Sequence, residues 1–113
     1  MHELSLAMEV IELAEREAGK NGVTNITEIV IEVGDLSGVE ADAFQSALEL
    51  MVKDTILDHA LLTLERTPGM GWCNNCKVEF IMNNRLDNCN LCKCFPSEMT
   101  GGKEFRVVSI LAE

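Results

Sequence analysis

The chain has 113 residues, 47% of them hydrophobic, and a formal net charge of −10. That length holds one domain, or one small domain carrying an insert, and its core is modest. The acidic balance lacks the basic footprint that a phosphate backbone demands, and no apolar run reaches the length of a membrane span, so neither nucleic acid nor a membrane is an expected partner.

Residues 3–18 predict an amphipathic helix. Leu4, Met8 and Ile11 form one helical row, Leu6, Val10 and Leu13 an adjoining one, and Ala7, Ala14 and Ala18 fill in. Glu9, Glu12 and Glu15 lie towards water, and Gly19 with Asn21-Gly22 ends the helix. Residues 25–33 predict a strand with Ile29, Ile31 and Val33 on one face and Val30 and Glu32 on the other. A turn follows at 34–38. Ser37 and Glu40 then match the Ser-x-x-Glu capping-box spacing and open a second helix, running to Lys53, with Phe44, Ala47, Leu48 and Met51 inward. Residues 60–66 predict a second strand, Ala60, Leu62 and Leu64 alternating with Leu61, Thr63 and Glu65, and residues 105–111 a third. His59, just before the second strand, reads as a surface turn residue.

Between the last two strands lies a segment bordered by Thr67-Pro68-Gly69 and Gly101-Gly102. It is rich in Asn and poor in large apolar groups. The expected architecture is α+β: two helices against a three-stranded sheet, with a zinc-ribbon module inserted before the last strand. Residues 1–66 with 104–113 form one expected domain and residues 67–103 the other. The charge is uneven as well, since residues 1–66 carry −10 and residues 67–103 carry +1. An acidic body suits cations or a basic protein surface, although a solvated exterior accounts for most of these carboxylates.

Cys73, Cys76, Cys89 and Cys92 form two Cys-x-x-Cys pairs, twelve residues apart. Two such knuckles bring four thiolates to one tetrahedral centre, the geometry Zn²⁺ accepts most readily. The segment has little core of its own, so metal binding would supply its folding energy. A disulfide pair, a redox dithiol and a rubredoxin-like iron site are the alternatives. The opening Met-His-Glu-Leu-Ser lacks the basic start and apolar stretch of a signal peptide, so a reducing, cytoplasmic setting is expected, where metal ligation outweighs disulfides. Trp72 packs on the ribbon or the body, with partner binding as the alternative, and the six methionines fit core or helix positions better than a thioether site. A closed four-thiolate site does no chemistry by itself, so function lies elsewhere in the chain.

His2 marks a second candidate. A bulky second residue prevents removal of the initiator Met, which leaves the free amine on Met1. That amine, the His2 amide nitrogen and the His2 imidazole close successive small chelate rings, a nitrogen-rich tetragonal set that favours Ni²⁺ or Cu²⁺. The amide must lose its proton to join, so affinity depends on pH. Glu3 offers its own amide nitrogen, while its carboxylate suits a helix N-terminus without any metal. Glu40 has two competing readings: capping-box partner of Ser37, or oxygen donor near Met1.

Taken together, these residues resemble the HypA/HybF family of hydrogenase nickel-insertion proteins. The opening Met-His-Glu-Leu-Ser-Leu-Ala is similar to the family's start. So are Val-Gly-Asp-Leu-Ser-Gly-Val-Glu at 33–40, the two Cys-x-x-Cys pairs, and Gly-Lys-Glu-Phe at 102–105. The match runs the whole chain in order. The resemblance implies a metallochaperone rather than an enzyme. It implies transient nickel at the Met1 amine, His2, the Glu3 amide and Glu40, and structural zinc at Cys73, Cys76, Cys89 and Cys92. It also implies work with the GTPase HypB, delivery to the large subunit of [NiFe]-hydrogenase and in some members service to urease. A homodimer is a further expectation.

Three departures stand out. The family's second knuckle reads Cys-Pro-x-Cys-Gly, whereas this chain has Cys89-Asn90-Leu91-Cys92-Lys93-Cys94. Loss of Pro and Gly is expected to loosen that turn. Cys94 adds a fifth thiol: a substitute ligand, a free thiol or an oxidisable one, with the two-residue spacing favouring Cys92 as the ligand. Ala41 stands where the family often has Pro. The rival reading is a zinc-ribbon adaptor that binds proteins and carries no transient metal.

Overall fold

The computed structural model describes residues 2–113. Helix α1 spans His2–Lys20, strand β1 Ile26–Gly34, helix α2 Ala41–Met51 and strand β2 Leu61–Thr67. Three short strands follow, β3 at Gly69–Cys73, β4 at Val78–Met82 and β5 at Glu98–Gly101, and β6 closes the chain at Phe105–Ala112. They make two three-stranded sheets, ordered β2-β1-β6 and β4-β3-β5. The α+β expectation of two helices, a three-stranded sheet and a ribbon module therefore holds.

The first sheet is mixed. Thr63 Oγ1 donates to Glu28 at 2.7 Å and Thr67 Oγ1 to Glu32 at 2.8 Å, so β1 and β2 advance together and are parallel. Gly34 N–H donates to the Glu104 carbonyl and Glu113 N–H to the Asn25 carbonyl, so β6 runs antiparallel to β1. A parallel pair needs a crossover, and α2 provides it. Ile29, Ile31 and Val33 are all buried, as their alternation requires.

By their contacts the residues form two compact units. One comprises residues up to Ile31, Glu40–Glu65 and Arg106–Glu113; the other comprises Glu32–Val39 and Arg66–Phe105. The first unit has an aliphatic core: Val10 and Ile11 from α1, Ile26, Ile29 and Ile31 from β1, and Phe44 and Leu48 from α2. Helix α1 buries Ala7, Val10, Ile11, Ala14 and Ala18. Leu4 and Met8, expected inward, are 41% and 52% exposed. The stripe follows the alanines because small side chains let α1 approach α2 closely, and that rotation turns Leu4 and Met8 outward.

A second correction concerns the start of α2. Ser37 and Glu40 do not form a capping box. Glu40 is itself the N-cap, its carboxylate accepting from Asp42 N–H at 3.3 Å and Ala43 N–H at 2.8 Å. Ser37 Oγ instead accepts from Val39 N–H at 3.2 Å, a local turn that precedes the helix. The helix thus begins at Ala41 and ends at Met51, with Val52 as its C-cap.

Among the described residues, no helix is long and apolar enough to cross a membrane.

Candidate metal centre

Strand β3 delivers Cys73 and the turn after it delivers Cys76; the loop after β4 delivers Cys89 and Cys92. Cys73 and Cys89 are buried, Cys76 and Cys92 half-buried. The side chains beneath them are Leu36, Phe80 and Met82. One knuckle is therefore tied to a regular strand and the other to a loop folded over the same small core.

The four sulfurs lie within 4.8 Å of one another. Cys73 and Cys92 are 3.5 Å apart, Cys76 and Cys89 4.0 Å. A tetrahedral zinc–thiolate centre with bonds of about 2.3 Å places its sulfurs about 3.8 Å apart, so the four residues fit that ion. A disulfide needs about 2.05 Å, so that alternative does not describe these thiols.

Electrostatics point the same way. The Cys94 backbone N–H and then the Asn75 side chain stabilise a thiolate at Cys92 and pull it down to about 6. Contact with Cys92, followed by burial, pushes Cys76 up to about 12. Contact with Cys92 also raises Cys94. Negative charge is thus favoured at Cys92 and disfavoured at Cys76. A divalent cation at the centre would relieve that conflict, because it favours the thiolate form of its ligands.

The knuckles share a second feature. Lys77 and Lys93, each directly after the second cysteine of its pair, have φ of 57° and 67°. Each backbone N–H donates to the carbonyl of the first cysteine, Lys77 to Cys73 at 2.8 Å and Lys93 to Cys89 at 2.7 Å. The turn closes at Lys93 without glycine, because the lysine adopts the left-handed conformation that glycine would take. Cys94 lies outside the four-sulfur group and is exposed. Its carbonyl accepts the Cys89 N–H at 2.9 Å, so its backbone braces the knuckle.

Of the proposed N-terminal set, Met1 lies outside the described residues. His2 is exposed at the first position of α1, and Glu3 is half-buried in the first turn. The first four N–H groups of a helix have no intrahelical acceptor, so the His2 and Glu3 amides are not committed to the ladder. Glu40 is exposed, and its carboxylate is engaged as the α2 cap. Among the described residues, His2, Glu3 and Glu40 do not gather into a group like that of the cysteines.

A family model described as "Hydrogenase/urease nickel incorporation, metallochaperone, hypA" matches residues 1–112. The chain belongs to the HypA family. A hydrogenase maturation factor HypA from Geobacter metallireducens is 38% identical over 113 residues, covering all of both chains. Another, from Azoarcus sp., is 37% identical over 107 residues, 95% of this chain and 94% of that one. The solution structure of the Ni metallochaperone HypA from Helicobacter pylori aligns with a TM-score of 0.62 at 27% identity, over 98% of each chain. A second HypA solution structure aligns with a TM-score of 0.68 at 26% identity, over 100% of this chain and 97% of the other. HypA is a family of nickel-incorporation metallochaperones, and the four-cysteine group of this member fits a zinc site.

Three contributors to the centre escaped the sequence. Leu36, from the turn after β1, is buried in the thiol core, and Arg85 donates to its carbonyl at 2.6 Å. Asn75 supports the Cys92 thiolate. Asn75 carried a weak signal, as a polar residue inside a Cys-x-x-Cys pair. Leu36 lies 37 residues before Cys73 and carried none.

Proposed function

We propose that this chain binds Ni²⁺ reversibly at its N-terminus and delivers it for maturation of [NiFe]-hydrogenase, with a route to urease as a further use. Zinc at Cys73, Cys76, Cys89 and Cys92 is structural in this reading, and the protein is a cytoplasmic carrier rather than an enzyme. The observation that carries it is the family match from the first residue to the last strand, which spans the metal-capable Met1-His2-Glu3 start and both cysteine pairs.

Met1 offers its amine, His2 its imidazole and amide nitrogen, and Glu3 its amide nitrogen. The amides need deprotonation, so capture releases protons and protonation favours release. A chain end is a suitable place for ligand exchange, because few contacts hold it. Glu40 joins the set only by leaving its helix cap. That makes its participation a test of mechanism rather than a requirement. HypB and the hydrogenase large subunit are the proposed partners, and a homodimer is the proposed assembly.

The deciding experiment is a Ni²⁺ titration of zinc-loaded protein, with X-ray absorption, for the unmodified chain, an N-acetylated chain and His2→Ala. Acetylation and His2→Ala should each weaken nickel binding at least about tenfold while zinc content stays constant. Equal nickel affinity in all three refutes the N-terminal site. Absence of any second ion in the unmodified chain favours the adaptor reading.

A further inference from the structure

In the β4-β3-β5 sheet, Trp72 lies opposite Glu79 on one side and opposite Glu98 on the other. Met70, two residues earlier, lies opposite Ile81. Directly opposed residues of antiparallel strands project from one face. The other face carries Cys73, Phe80 and Met82 and packs into the thiol core. The outer face therefore presents a half-buried indole between two exposed carboxylates, with Met70 and a 67% exposed Ile81 beside it.

Glu79 is aimed across that face. Its Oε2 accepts from Thr100 Oγ1 at 2.7 Å, although Glu79 is on β4 and Thr100 on β5, with β3 between them. The bond carries the carboxylate over the central strand, beside Trp72. Register slips between Met70 and Gly71 in the β3–β5 pairing, an irregularity at Thr100 that gives the hydroxyl its position. A groove of about 510 Å³ opens along the β4 side of the sheet, lined among others by Met70, Glu79, Ile81 and Asp87.

Charge is segregated. Residues 67–103 are net positive, yet their only three acidic side chains, Glu79, Asp87 and Glu98, all belong to this face or its groove. Three of the segment's four cations have partners other than these carboxylates: Lys77 the Asn74 side chain, Arg85 the Leu36 carbonyl, and Lys93 the Asn90 carbonyl. Among the described residues, no cation pairs with Glu79 or Glu98. Two of the segment's three carboxylates thus flank its one indole.

We propose that this face receives a basic segment of a partner protein, with an arginine guanidinium stacked on Trp72 between Glu79 and Glu98. A guanidinium is planar, stacks on aromatic faces and donates to carboxylates on either side. Its aliphatic stem, or an apolar neighbour in the segment, lies along Met70 and Ile81. The face is independent of the N-terminal metal reading and stands or falls without it.

Trp72 is the only tryptophan, so its emission reports on this face alone. Zinc-loaded full-length protein is titrated with acetyl-Gly-Arg-Leu-Arg-Gly-amide and with the same peptide carrying glutamine for arginine. The arginine peptide should give a saturable emission change that weakens with added NaCl, and the glutamine peptide should bind at least about tenfold more weakly. Glu79→Gln/Glu98→Gln should lose at least about tenfold in affinity, whereas Glu9→Gln on α1 should bind as the parent does. Amide shifts should localise to Met70–Cys73, Val78–Met82 and Glu98–Gly101, which keeps the test valid if one variant folds poorly. No saturable change, equal binding of both peptides, or shifts centred on α1 overturns the proposal. So does a peptide-independent, concentration-dependent emission change with self-association in sedimentation, which assigns the face to a second copy.

Discussion

The two units of this chain bury different chemistry. In one, aliphatic and aromatic side chains from α1, β1 and α2 meet in a continuous core, with Phe44, Ile29, Ile31 and Leu48 out of contact with water. In the other, the buried cluster is Leu36, Phe80 and Met82 together with Cys73 and Cys89, so thiols occupy positions that aliphatic groups fill elsewhere. Apolar packing fills the first. The second combines a short sheet with four sulfurs placed to fit one metal ion. Transfer free energy therefore stabilises the first core, whereas the second carries a ligand set on which a metal ion would add coordination energy.

Perturbing the two chemistries separately tests that contrast. The largest effect is expected from Cys73→Ser or zinc chelation, since structural zinc contributes on the order of 10 kcal/mol in small zinc modules. Amide exchange should show loss of protection across 66–105 while α1 and β1 remain protected, and uniform protection would contradict the division. Acidification should have a similar effect. Four ligands must shed protons to bind, so zinc affinity falls as pH falls, and released zinc followed with a chromophoric chelator checks the sign.

Phe44→Ala comes next. It removes a fully buried ring from the aliphatic core and should cost about 3–5 kcal/mol, leaving zinc content unchanged. Denaturant unfolding with parallel metal analysis measures both. Glu40→Ala removes two acceptor bonds at the α2 N-terminus and should cost about 1 kcal/mol. If nickel affinity also survives that substitution, Glu40 acts only as a cap.

The smallest effect has the opposite sign. Lys93→Gly relieves a left-handed residue, worth about 1–2 kcal/mol, against about 0.5–1 kcal/mol for the extra freedom of glycine in the unfolded chain. The net gain of about 0.5 kcal/mol should raise the thermal midpoint of the zinc-loaded protein slightly. A fall would mean that the lysine charge beside the thiolates outweighs its backbone strain.

How much of this was legible from the residues varies with the element. The two helices and β1, β2 and β6 were readable because periodicity and β-branching run uninterrupted through them. The short strands β3, β4 and β5 were not. Gly69-Met70-Gly71 alternates, but with glycine in place of inward side chains, so the pattern shows no apolar face. Phe80 and Met82 lie only two residues apart in a five-residue strand. Ser37 illustrates a different failure: the capping spacing was present, but a local hydroxyl bond to Val39 N–H used the serine first. The four cysteines were legible as a group from spacing alone, whereas the placement of Leu36 depends on chain folding that no local pattern encodes.

That placement limits how the cysteine module can be handled. Gly69 leaves room for Leu36, which a methyl at Gly69 would meet within 2.6 Å, and the Leu36 N–H donates to the Gly102 carbonyl at 2.7 Å. A peptide cut from 67–103 would carry every cysteine and still lack the plug beneath its sheet. The module is consequently not a transplantable cassette. On the ribosome, too, its assembly waits until both distant stretches of chain have emerged.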